Sequence, residues 1–124
     1  MTPQQQAVVS KCANEITQKL TENKDKVLDP ITIMLIASVI NIALQTLIPI
    51  IQKKCKKDAT DIKIGAARPS LLTKYRIHRA IMKAEKKLEI KLSYYDISIN
   101  DASNQILLLT ANLDKETIDF INDK

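Results

Sequence analysis

The sequence predicts an all-α fold, a small bundle of four to five helices with one long, nearly all-apolar central helix. Only one glycine and no tryptophan occur in 124 residues, so the residue that tight β-turns favour is scarce. Good helix formers such as Leu, Ala, Lys and Gln are common, and apolar residues recur at spacings of three and four. A chain of this length forms one domain, or one domain with an arm.

The N-terminal residues 1–28 are predicted to form an amphipathic helical arm. Thr2 and Pro3 open the helix, because proline is favoured in the first turn. The chain that follows, to about residue 22, carries one narrow apolar stripe at helical spacing. This stripe consists of Val8, Val9, Cys12, Ile16 and Leu20.

Residues 29–124 are predicted to form the main helical domain, whose first helix covers about residues 30–54. Asp29 and Pro30 supply an acidic N-cap and a proline at the first helical position. We predict one continuous helix through residues 30–53. Pro49 is expected to kink or end this helix, because its ring removes a backbone hydrogen bond.

Further helices are predicted in the second half of the chain. A basic helix covers about residues 69–92, although the alternation of residues 88–92 also fits a short strand. Short C-terminal helices cover about residues 102–122, with Asp101 and Asp114 as their N-caps. The face of the basic helix that is expected to enter the core contains Ile77, Ala80, Ile81, Ala84 and Leu88.

The uncharged run from Ile31 to Ile51 is long enough, at about 31 Å of helix, to cross a bilayer or to form a core helix. The residues Ser38, Asn41, Gln45, Pro49 and Gln52 fall within an arc of about 80° on this helix, and the first three form its polar stripe. In a membrane oligomer these polar groups would bond across helices, whereas in a soluble bundle they would face water or a partner. The other amphipathic helices need an apolar surface to cover, and no Trp or Tyr flanks the run. These observations favour a helix packed in protein.

Charge is distributed unevenly along the chain. Residues 53–91 hold thirteen Lys and Arg against four acids, whereas residues 92–124 hold two Lys against six acids. This split indicates a polyanion, an anionic membrane surface or an acidic protein as partner, or a basic face neutralised by the chain's own acidic end. Five cations of the basic helix fall in one arc of about 100°. This basic arc consists of Arg76, Arg79, Lys83, Lys86 and Lys87.

We expect a non-enzymatic protein with no cofactor, metal or small-molecule substrate, because no group of residues in the sequence has a catalytic spacing. His78 has no Cys or Ser neighbour at a catalytic spacing. Cys12 and Cys55 lack zinc-type spacing and are expected to be reduced thiols. Cys55 stands among four lysines, which are expected to lower its pKa, although an incidental exposed thiol is the simpler interpretation. No aromatic residue interleaves with the basic arc, so nucleic-acid contact is expected at the backbone rather than the bases.

Four stretches of the chain, DPITIMLIASVI, KKCKK, RPSLLTKYRIHRAI and TANLDKETIDFI, carry a resemblance to a known group of proteins. Their layout resembles that of small helical virion-associated or accessory structural proteins of tailed bacteriophages, over roughly residues 29–121. The resemblance implies other virion or assembly proteins as partners, in an oligomer or larger complex, in the virion or the host cytoplasm. It implies no active site.

The expected function is therefore that of a structural or assembly protein. It would pack through the apolar helix and present the basic arc to nucleic acid or to an acidic protein. The alternative is a small phage membrane protein of the holin or DNA-ejection type in the host inner membrane, which oligomerises through a transmembrane helix at about residues 31–51. A free nucleic-acid-binding module is a third class. A requirement for detergent would separate the first two.

Overall fold

The protein is a helical bundle. The computed structural model describes residues 2–22, 28–50 and 71–122, and within these residues it contains five α-helices, one short 3-10 helix and no strand. This architecture confirms the predicted all-α bundle. The helices are α1 (Pro3–Thr21), α2 (Pro30–Ile50), α3 (Leu71–Leu88), the 3-10 helix (Leu92–Tyr95), α4 (Ile99–Asn112) and α5 (Lys115–Asn122).

The start of α1 is fixed by a capping box. Gln5 N donates to Thr2 Oγ1 (3.1 Å), and Thr2 N donates to Gln5 Oε1 (2.7 Å), so two otherwise unpaired backbone donors are satisfied. The predicted stripe faces the core. Val9, Cys12 and Ile16 are buried, and Val8 and Leu20 are partly buried against the core. The helix predicted as an arm thus contributes to the same core as the other helices.

The start of α2 also follows the sequence signal. Thr32 N donates to Asp29 Oδ1 (2.7 Å), and this backbone hydrogen bond holds the pKa of the Asp29 carboxyl below its usual value. The predicted continuous helix is present through Ile50 and passes through Pro49. Residues 51–54, where the helix was expected to end, lie outside the described part of the chain.

α2 is the central helix, because α1 and α3 both pack mainly against it. Its buried arc has side chains that are at most 3% exposed, namely Ile36, Val39, Ile40, Ala43, Leu44 and Leu47. The neighbouring helices complete one core cluster with residues that include Val9, Ile16, Ile77, Ile81, Ile106 and Leu107. The face predicted for the basic helix is therefore the face that enters the core.

α3 ends at Leu88, earlier than the predicted end near residue 92. Ile90 N donates to Glu85 O (3.0 Å) and Glu89 N donates to Lys86 O (3.3 Å). Glu89 has a positive φ of 57°. This pair of hydrogen bonds around a left-handed residue is a Schellman motif, which ends a helix by turning the chain away from its axis. The alternative of a short strand at this position is likewise wrong, since no strand pairing occurs among the described residues.

A second turn of the same kind follows the 3-10 helix. Asp96 has φ of 58°, Asp96 N donates to Ser93 O (3.2 Å), and Ile97 N donates to Leu92 O (3.1 Å). Ile97 and Leu92 are buried. A side-chain bond ties this segment back to α3, because Leu92 N donates to Glu85 Oε2 (2.7 Å). The chain thus reverses compactly between α3 and α4.

The predicted N-cap residue is wrong for α4 and correct for α5. Ser98, rather than Asp101, caps α4, because Asp101 N donates to Ser98 Oγ (3.0 Å) and the helix begins at Ile99. Asp101 lies in the first turn, where a carboxylate favours the helix dipole without being the cap. The prediction for Asp114 is confirmed, since Thr117 N donates to Asp114 Oδ1 (2.6 Å).

Glu89→Gly is expected to stabilise the protein by about 0.5–1 kcal/mol, because a side chain with a Cβ pays a penalty in the left-handed region that glycine avoids. The Glu89 side chain is exposed, so little packing is lost. Urea denaturation measures the change in free energy of unfolding. Glu89→Ala is the matched control, because it removes the same side chain but keeps the Cβ. Equal stabilities for the two variants would show that the backbone conformation at residue 89 carries no penalty.

Candidate interaction surface

The basic arc lies on the solvent side of α3. Arg79, Lys83, Lys86 and Lys87 are exposed, and Arg76 is half-buried. The arc has this orientation because the opposite face of the helix, with Ile77, Ala80, Ile81 and Ala84, is buried in the core. The fold therefore holds the five predicted cations together on one rigid helix.

These cations are not neutralised within the described part of the chain. The ion pair found there links Lys19 Nζ to Glu22 Oε1 (4.0 Å) on α1, and none joins the basic arc to a described acidic residue. Like charges held on one face raise the local positive potential, which attracts anions and increases the rate of their encounter. Among the described residues, the basic arc is thus a strongly cationic candidate surface.

Exposed apolar residues border the basic arc, and sequence reasoning missed them. Met82 on α3 is 56% exposed and Tyr94 in the 3-10 helix is 70% exposed. They line an open groove of about 810 Å³ between the end of α3 and the start of α4, with Lys86 on its wall. Tyr75 is also exposed and stands seven residues before Met82. This spacing, which places two apolar residues on one outward helix face, was the available sequence signal.

The groove carries charges of both signs. Lys86 and Lys91 line it, and so do Glu85 and Glu89. Glu85 is already engaged, because its Oε2 accepts the hydrogen bond from Leu92 N (2.7 Å). The cationic excess of this region therefore comes from the adjoining basic arc.

The polar stripe of α2 is satisfied inside the chain. Gln45 Nε2 donates to Asn41 Oδ1 (2.8 Å), and Asn41 Nδ2 donates to Ser10 Oγ on α1 (2.9 Å). Ser38 Oγ donates to Met34 O (2.8 Å) in the same helix. Ser38 and Gln45 are exposed and Asn41 is half-buried. The stripe therefore joins α2 to α1, a contact that the sequence did not predict, and its amides have partners without a second copy.

The first two turns of α2 expose apolar side chains. Ile31 is 71% exposed and Met34 is 67% exposed, with Ile33 and Leu35 also classed as exposed. Pro30–Leu47 is long and apolar enough to cross a membrane, and 33% of it is buried in the bundle. The predicted packing of this helix in protein is therefore seen for the arc from Ile36 to Leu47, whereas its first two turns remain uncovered.

Burial shifts the pKa values of two side chains, Cys12 and His78, toward their uncharged forms. Burial, aided by the charge of Glu15, raises the pKa of the Cys12 thiol, so the reactive thiolate is disfavoured. Cys55 lies outside the described residues. Burial and the nearby Lys74 lower the pKa of His78, whose Nε2 is buried without a hydrogen-bond partner among the described residues. Within the same part of the chain no cluster of three or more His, Cys, Asp or Glu is placed to hold a metal ion.

Comparison with known proteins adds no relative. No protein-family model, no curated protein and no solved structure matches the chain. The resemblance to phage structural proteins thus rests on the sequence pattern, and the proposals below rest on the surfaces described above.

The stability of the protein is expected to fall as the pH drops from 7 to 5. The pKa of His78 is lower in the folded chain than its value of about 6.5 in an unfolded chain, so the unfolded state binds more protons below that pH. His78 is the only histidine of the sequence, which makes the effect assignable. Urea denaturation at a series of pH values measures it. His78→Phe should flatten the dependence between pH 5 and 7, and an unchanged slope would contradict the role given to His78.

Proposed function

We propose that this protein is a non-enzymatic structural or assembly protein, of a phage particle as the sequence resemblance implies, that binds an anionic partner through the basic arc. The partner is the backbone of a nucleic acid or the acidic surface of another protein. One observation carries the proposal: four exposed cations share one face of α3 and form no ion pair with a described acidic residue. The packing of the bundle does not require four exposed cations on one face of α3.

The geometry of the basic arc suits a regular polyanion. Arg79 to Lys87 extend over about 12 Å of helix at 1.5 Å per residue. Phosphates of one DNA strand are spaced about 3.4 Å along the duplex axis, so an arc of this length faces three or four of them. Lysines contact phosphates as point charges and carry no base preference. Binding to nucleic acid would therefore be independent of sequence and strongly dependent on salt.

The double variant Lys83→Gln/Lys86→Gln is expected to weaken duplex DNA binding and to reduce the slope of log affinity against log salt by nearly 2, about 0.9 for each lost phosphate contact. Fluorescence anisotropy at several salt concentrations measures both quantities. Lys11→Gln/Lys19→Gln is the matched control, because it removes the same charge from exposed positions on α1.

The control variant should keep the parent slope. Equal changes in the two double variants would show that net charge, rather than the basic arc, governs binding. An unchanged slope in the Lys83→Gln/Lys86→Gln variant would remove nucleic acid as the partner and leave the acidic protein surface.

A second candidate function, a small membrane protein, is favoured by the exposed apolar end of α2. Ile31 and Met34 are exposed apolar side chains, for which lipid is a better solvent than water, and the helix is long enough to span a bilayer. In the bundle, however, Ile36 to Leu47 present their buried arc to α1 and α3 rather than to lipid. A spanning helix would have to leave these neighbours, so the membrane candidate requires a different arrangement of the chain.

Two single substitutions on α2 separate these candidates. Leu44 is 3% exposed, so Leu44→Lys is expected to destabilise the soluble bundle by about 3–5 kcal/mol, because it buries an unpaired charge. Gln45 is exposed, so Gln45→Lys should change stability by less than about 1 kcal/mol. Denaturation and solubility without detergent measure the outcome. If the parent protein fractionates with membranes and Gln45→Lys abolishes its assembly, the membrane candidate replaces the first one.

A further inference from the structure

The acidic end of the chain presents a small exposed face of its own. α5 carries Glu116 and Asp119 in exposed positions, and Phe120, next to Asp119 in the sequence, is 44% exposed. These residues are spaced three and four apart, so they share one side of the helix. The face therefore combines an aromatic side chain with negative charge. The groove combines apolar side chains with positive charge, because Met82 and Tyr94 adjoin the basic arc.

α5 cannot bring this face to the basic arc of its own chain without leaving its place in the bundle. Ile121 is buried in the core, and Gln5 Nε2 donates to Phe120 O (2.9 Å), which fixes α5 on α1. α5 packs against α1 and α2, whereas α3 packs against α2 and α4. The two faces of opposite charge are thus held apart within one molecule, so a contact between them requires a second molecule.

We propose that copies of this chain associate head to tail, with the α5 face of one copy in the groove and against the basic arc of the next. This inference rests on the proposed function and names the acidic partner as a second copy. Phe120 would enter the apolar groove beside Met82 and Tyr94, and Glu116 would approach Lys86. Apolar contact supplies affinity at the centre, and the charges select the orientation.

A contact between two different faces leaves one of each unfilled at the ends of an open assembly. Such heterologous contacts give rings when the rotation closes and open filaments when it does not. Association is also expected to weaken as salt rises, because the contact charges are exposed and screened within about 10 Å at 0.1 M salt. Both properties suit an assembly protein.

Sedimentation velocity on the full-length protein tests the contact with two variants. The groove variant is Met82→Ser/Tyr94→Ser, and the α5 variant is Glu116→Lys/Phe120→Ser. All four residues are exposed, and circular dichroism checks that the helices are retained. The parent is expected to grow in mass with concentration at low salt, and each variant should associate at least about tenfold more weakly. A mixture of the two variants should form 1:1 dimers, because each still carries one intact face.

Three results would overturn the inference. They are a parent that stays monomeric at millimolar concentration, a mixture that contains only monomers, and loss of association in the control Ile31→Ser/Met34→Ser, which would place the contact at the end of α2. DNA titration of the same proteins separates this inference from the proposed function. A monomeric parent that still binds DNA with the expected salt slope disproves head-to-tail association alone. Head-to-tail dimers that the Lys83→Gln/Lys86→Gln variant leaves intact would disprove the role of the basic arc in this contact.

Discussion

The need to cover α2 governs the rest of the structure. Its buried arc from Ile36 to Leu47 is uncharged and at most 3% exposed, and α1 and α3 supply most of the cover. Each covering helix turns its apolar face toward α2, so its polar face is forced outward. The position of the basic arc on the surface is therefore a consequence of where Ile77 and Ile81 must go. The same constraint places the exposed acids of α5 outward, because Ile121 enters the core.

The capping residues and the periodic apolar residues were predictable because they are local signals. Thr2, Asp29 and Asp114 each accept a hydrogen bond from the backbone N–H three residues onward. The prediction of Asp101 as the cap of α4 was wrong, because Ser98 holds that position. Both residue types cap helices and the two stand three residues apart, so the local sequence does not distinguish them.

The turns after α3 were not predictable from composition. A residue in the left-handed backbone conformation is usually glycine, but here Glu89 and Asp96 adopt a positive φ. The burial of Leu92 and Ile97, together with the partial burial of Ile90, favours these turns, and that packing depends on helices far away in the sequence. The groove with Met82 and Tyr94 exists only because the chain turns there. The basic arc could thus be predicted from a helical wheel, whereas its apolar neighbour could not.

Membrane insertion and the observed bundle require the same α2 side chains for different contacts, so the two arrangements exclude each other. Five large residues of the buried arc, Ile36, Val39, Ile40, Leu44 and Leu47, are covered by protein. Lipid would replace protein around these five side chains, but their departure would leave the apolar faces of α1 and α3, with Val9, Ile16 and Ile77, in water. Insertion of α2 would therefore amount to unfolding the bundle. Apolar contact of α2 itself with a lipid surface or a partner leaves the fold intact only at the first two turns, where Ile31 and Met34 are already exposed.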